Sequence, residues 1–166
     1  MARITAWVAV LFIGGFCLAV EAAEKPDSSA EVKPFLRSIV KSLLDKTQAP
    51  DFAMADNVIA IDNGEQMTKE QLKSAWPDFR KMAFKKKVTL DEFFEQVQLQ
   101  VSPAKDNKSL SANKRLMEVY KPQDGDLYCD LSKVKDGVDS FIGYKKAFIY
   151  ILRKVDGKWT LIAIGG

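Results

Sequence analysis

Apolar and polar positions follow three patterns along this chain. Residues 4–20 (ITAWVAVLFIGGFCLAV) form an uncharged run behind a single cation, Arg3. Apolar residues then recur at helical spacing over 32–44, and beyond residue 97 the pattern turns to alternation. The first run ends at Val20-Glu21-Ala22, whose side chains suit the minus-three and minus-one positions of a signal peptidase site. This layout predicts a secretory signal over 1–22, cleaved on export to a periplasm or the extracellular space. The rival reading is an uncleaved anchor, since the run lies at the lower edge of what crosses a hydrocarbon core of about 30 Å. Gly14-Gly15 and the small residues at the end of the run favour cleavage, and Phe16 before Cys17 speaks against a lipid anchor there. Membrane contact is expected only through this segment, if it is retained.

Residues 23–31 are polar and irregular, a tether before a single domain over 32–166. Val32, Phe35, Ile39, Val40, Leu43 and Leu44 make the apolar stripe of an amphipathic helix. Pro34 suits its first turn, and Pro50 bounds its end. Residues 58–61 predict a short strand closed by the turn Asp62-Asn63-Gly64. Thr68 and Gln71 form a capping box that opens a second helix, with Leu72, Ala75 and Trp76 inward. Pro77 either ends that helix or begins a third one through Phe79, Met82 and Phe84, and residues 89–96 fit a helix or a strand equally well.

Residues 97–101 alternate as a half-buried strand does. Residues 103–113 read as a polar loop, and 117–121 and 127–131 as strands flanking the turn at 122–126. The last hairpin runs from Tyr144 to Ile164 through Val155-Asp156-Gly157, with a loop of two residues or of three. Both of its faces are apolar, so both are expected to be covered. The helices cover one. The other would hold Ile149 and Ile151 with either Ile162 and Ile164 or Leu161 and Ala163, according to register. That patch predicts a homodimer, unless the loop over 103–113 or the tether folds across it.

The chain has 166 residues, 47% hydrophobic and 28% charged, with a net charge of +3, which describes an ordinary globular domain with no polyanion partner. There is no histidine. Serine–histidine and cysteine–histidine nucleophile systems and imidazole zinc sites are thereby excluded. With Cys17 removed, Cys129 stands alone and reads as a small buried hydrophobe. No catalytic residue, metal site or cofactor is predicted. Arg80-Lys81 and Lys85-Lys86-Lys87 form a basic cluster followed by Asp91, Glu92 and Glu95; it reads as a solvated face in preference to an anionic-ligand site. Without interleaved aromatic residues it gives no nucleic-acid surface. Asn107-Lys108-Ser109 fits a glycosylation acceptor pattern.

The long helix, the short strand with its D-x-G-like turn, the T-K-E-Q-L-type helix and the closing hairpin L-R-K-V-D-G-K-W resemble the nuclear transport factor two-like, or SnoaL-like, superfamily. The resemblance implies an α+β fold with N-terminal helices packed on a curved antiparallel sheet to form a cone. A cystatin-like α+β fold is the alternative. It also implies a cavity, for which Trp76, Asp78, Tyr120, Tyr128, Tyr144 and Trp159 are the lining candidates. The expected function is an exported, non-catalytic domain binding a small apolar ligand or a partner protein. The competing expectation is an Asp/Tyr-dependent isomerase or dehydratase resembling ketosteroid isomerase, which would bring an Asp and a Tyr hydroxyl together in that cavity.

Overall fold

The computed structural model describes residues 28–47 and 49–165. The predicted signal segment 1–22, Cys17 and the first part of the tether lie outside the described residues. The first helix starts before Val32: α1 spans Ser28–Leu44, so the end of the expected tether is helical. Its buried stripe is Val32, Leu36, Ile39, Val40 and Leu43. Pro34 consequently sits in the second turn, not the first, and cannot supply the N–H that the helix needs there.

Strand β1 (Met54–Ala60) turns back into β2 (Gln66–Thr68). Thr68 then caps α2 (Lys69–Ala83) through the predicted box: Gln71 N–H donates to Thr68 Oγ1 at 3.2 Å, and Thr68 N–H to Gln71 Oε1 at 2.8 Å. Pro77 lies inside this one helix, neither ending it nor beginning another. The ambiguous stretch after it is helical. Thr89 and Glu92 repeat the same capping box to open α3 (Leu90–Gln96).

The second half departs further from expectation. Strand β3 covers Gln100–Pro103, while Val97 makes only an isolated bridge to Val134. The expected polar loop holds a 3-10 turn over Ala104–Asp106 and α4 (Lys108–Ala112), whose N-cap is Asn107. The expected strand at 117–121 is instead α5 (Lys114–Val119). Its buried residue Leu116 lies one turn before the buried Tyr120 that follows the helix as its C-cap. Strand β4 (Leu127–Asp130) follows, then β5 (Ile149–Val155) and β6 (Lys158–Ile164); residues Lys145–Phe148 make a 3-10 turn before β5.

These strands form one sheet in the order β2-β1-β6-β5-β4-β3. It is mixed: β1 runs parallel to β6, and the other neighbours are antiparallel. Strands so far apart in the chain need no tight turn between them, so the antiparallel constraint of a hairpin does not apply. The fold is therefore α+β with an open six-stranded sheet.

The β5–β6 loop has two residues, because Val155 pairs with Lys158. Asp156 and Gly157 take φ values of 51° and 76°, the left-handed pair that a tight hairpin turn needs. Register then shifts by one residue: Leu152 faces Leu161, but Ile151 faces Ala163, leaving Ile162 as a bulge. Neither predicted facing pattern survives. Leu161 and Ile164 join Tyr150 and Leu152 under the α1–α2 layer, whereas Ile151, Ile162 and Ala163 share the opposite face.

That opposite face is closed within the chain. Ala104, Leu110, Leu116 and Tyr120 pack over Ile59, Ile151, Ile162 and Ala163. Ile151 and Ile164 are fully buried and Ile162 is 8% exposed, so the patch expected to pair subunits is not at the surface. Ile149, partly buried, is the least covered of the four. The 104–120 segment contributes the apolar residues that its overall polarity hid.

Candidate functional site: a basic groove at the ends of two helices

The C-terminal ends of α1 and α2 are fastened together at one backbone group. The Ser42 carbonyl, in the last turn of α1, has no helical donor of its own. It accepts from Trp76 Nε1 at 3.2 Å and from Arg80 Nε at 2.8 Å. Beyond α2 the chain is held by a short ladder. Gly143 N–H donates to the Ala83 carbonyl at 2.7 Å, Tyr144 N–H to that of Met82 at 2.9 Å, and Lys85 N–H to that of Phe141 at 2.8 Å. The approach is close enough that a Cβ on Gly143 would lie 2.3 Å from the Met82 carbonyl oxygen. The Thr89–Glu92 capping box fixes the far end of this connection.

Between these supports lies an open groove of about 870 Å³. Leu43, Leu44, Pro77, Phe84 and Val88 give it apolar walls, and Lys46, Arg80, Lys81 and Lys85-Lys86-Lys87 surround them with cations. A smaller recess of about 150 Å³ continues past Lys87 and Val88 to Gln96, Asp139 and Phe141. Glu92, the one carboxylate lining the groove, accepts the Thr89 N–H at 2.8 Å. That backbone bond, with a side-chain hydrogen bond from Thr89, holds its carboxyl below the usual range. Near the α1 end, the Thr47 hydroxyl and N–H donate to Asp45, and these bonds, with the Arg80 and Lys41 charges, lower that carboxyl too. Such an arrangement can bury an apolar group and attract a negative one.

The six residues predicted to line a cavity are not brought together. Trp76 is fully buried, between Phe52 and Phe79, and Asp78 is exposed on α2, paired with Lys81 at 2.9 Å. Tyr144 and Trp159 are partly buried against the helix-side core, with Lys154 Nζ 4.9 Å from the centre of the Trp159 ring. Tyr120 and Tyr128 belong to the other face of the sheet. None of the six lines the groove.

One Asp–Tyr pair does exist, on that other face. Tyr120 Oη donates to Asp126 Oδ2 at 2.8 Å, and both residues are buried. Burial would raise the Asp126 carboxyl, but hydrogen bonds from Arg153, the Gln123 N–H and Tyr120 hold it below its ordinary value. Burial and the neighbouring carboxylate push the Tyr120 phenol upward. With four donors on two oxygens, the carboxylate fastens the 104–126 segment to the sheet, and the pair lines neither the groove nor the recess beside it.

Sequence reasoning set the basic cluster aside as a solvated face. The signal it could have used is that Phe84 and Val88 flank Lys85-Lys86-Lys87; the contribution of Leu43, Leu44 and Lys46 depends on tertiary packing. Cys129 is fully buried, as predicted, and Asn107 uses its side-chain oxygen to cap α4 by accepting from the N–H groups of Ser109 and Leu110. Among the described residues no cluster of three or more Asp, Glu or Cys side chains could hold a metal ion, and no helix is long and apolar enough to cross a membrane. In comparisons with known proteins, no family model, curated protein or solved structure matches the chain.

Proposed function

We propose that this chain is an exported, non-catalytic binding domain that takes a small apolar ligand in the groove between α1, α2 and residues 84–92. The observation that carries the reading is the groove itself. Its volume of about 870 Å³ falls within the range of small-molecule sites, roughly 300–1,000 Å³, and its walls are apolar. The element order behind the resemblance to the nuclear transport factor two-like superfamily recurs in α1, β1 with its turn, the Thr68-capped α2 and the closing β5–β6 hairpin. This supports reading the fold as a member with a cone-shaped sheet. Export rests on the uncharged run and the small residues that end it.

The competing isomerase or dehydratase reading needs a carboxylate and a phenol facing one another across a cavity. The Tyr120–Asp126 pair is spent on holding the fold, so the binding reading is preferred. Its test is fluorescence titration with N-phenyl-1-naphthylamine, an uncharged apolar probe. Saturable binding in the micromolar range is expected, together with its loss in Val88→Asp, which puts a charge on the groove wall. A probe that does not bind, or binds the variant equally well, would refute the groove as a ligand site.

A further inference from the structure

The cations around the groove differ in what they are already bound to. Lys81 pairs with Asp78 at 2.9 Å and Lys86 with Asp139 at 3.2 Å. Arg80 is engaged at Ser42. Lys46, Lys85 and Lys87 are exposed, and their side-chain ammonium groups make no hydrogen bond or salt bridge among the described residues. Glu92, the one carboxylate lining the groove, is committed to capping α3. Three ammonium groups with no side-chain partner therefore stand beside a concave apolar surface on two separate segments, open to an anion from outside. An inorganic anion would leave Leu44, Phe84 and Val88 partly wet. A neutral apolar molecule would leave the charges unanswered.

We infer that the groove takes an anionic amphiphile, a single apolar chain with a carboxylate-like head: the chain lies on Leu43, Leu44, Phe84 and Val88, and the head is held by Lys85 and Lys87, with Lys46 across the groove. This rests on the reading of the groove as the ligand site and adds the ligand's charge and shape. The occupant is a free molecule, not a membrane surface, because the apolar residues are recessed in a groove with the cations around them. A bilayer approaching that rim would meet the lysines first.

The test compares decanoate, 1-decanol, inorganic phosphate and phosphatidylglycerol vesicles, the soluble ligands by calorimetric titration and the vesicles by co-sedimentation. Decanoate is expected to bind about tenfold more tightly than decanol, the scale of one or two charge-assisted hydrogen bonds. Lys85→Gln/Lys87→Gln, both at exposed positions, should abolish that preference and leave decanol binding unchanged. High salt should weaken decanoate alone. Equal affinity for decanoate and decanol would overturn this inference and leave the apolar site standing. Binding of neither would overturn both. Phosphate as tight as decanoate would mean a simple anion site, and vesicle binding without decanoate binding a membrane-docking face; either result overturns the inference.

Discussion

Arg153 grips Asp126 through both carboxylate oxygens, Nε to Oδ1 at 2.8 Å and Nη2 to Oδ2 at 2.7 Å. The same guanidinium donates to the Lys121 carbonyl at 3.0 Å, so one side chain of β5 ties down both ends of the turn that leads from α5 into β4. Removing one member of a buried pair strands the other. Asp126→Asn is expected to cost about 3 kcal/mol in urea unfolding, and Arg153→Met a similar amount. A loss below about 1 kcal/mol would mean that the segment is held by apolar packing alone.

The same carboxylate is expected to weaken the fold in acid. Its folded value lies below the ordinary 3.8, so the stability it contributes is complete above that pH and is lost as the pH falls further, toward the folded value. Midpoints of thermal unfolding should stay level from neutral pH to about 5 and then drop below about 4. In Asp126→Asn the starting midpoint should be lower and the acid slope shallower. An unchanged slope would assign the acid limb to other groups, such as the exposed Asp124 that pairs with Lys105.

Cys129 lies in β4 opposite Tyr150, fully buried, and burial pushes its thiol up to about 12. Reaction with a disulfide reagent under native conditions should therefore be slow and should accelerate only on unfolding. Cys129→Ala is expected to cost about 1 kcal/mol and to leave probe binding intact. Rapid labelling of the native protein would contradict this burial.

Much of the helix-side layer can be read from sequence, because each piece carries a local signature: the stripe of α1, the Thr68–Gln71 box, the hairpin turn at Val155-Asp156-Gly157, whose length of two or three residues only the pairing of Val155 with Lys158 decides. Thr89 and Glu92 carry the same capping signature, yet the short run 90–96 by itself does not separate helix from strand. Residues 117–121 read as a strand because a hairpin-like turn follows them, and only the burial of Leu116 and Tyr120 shows the helical period. The groove is less legible still. Lys85 and Lys87 are visible as charge, but their meaning depends on Leu43 and Leu44, which α1 brings to them from forty residues upstream.

Ile151 distinguishes a self-covered sheet from one that pairs with a second copy. It is fully buried beneath the 104–120 segment, so Ile151→Asp should lower stability by more than about 3 kcal/mol, the cost of burying an unpaired charge. Light scattering of the wild type should give a monomer. A wild-type dimer that Ile151→Asp splits into folded monomers would mean that the 104–120 segment moves aside in solution.

The bulge at Ile162 gives the closing hairpin one residue of slack. Strand β6 reaches from its turn to Ile164 with one residue more than β5 needs to pair it, so losing Ile162 would return Leu161, Ala163 and Ile164 to an unbroken ladder without reversing any of them. Losing Leu161 would have Ile162 take its place on the same face. In an unbroken stretch of ladder a single deletion turns every later side chain of that strand to the wrong side. Here the gene can shed a codon and the reading of inside from outside survives, at the cost of one buried isoleucine or leucine.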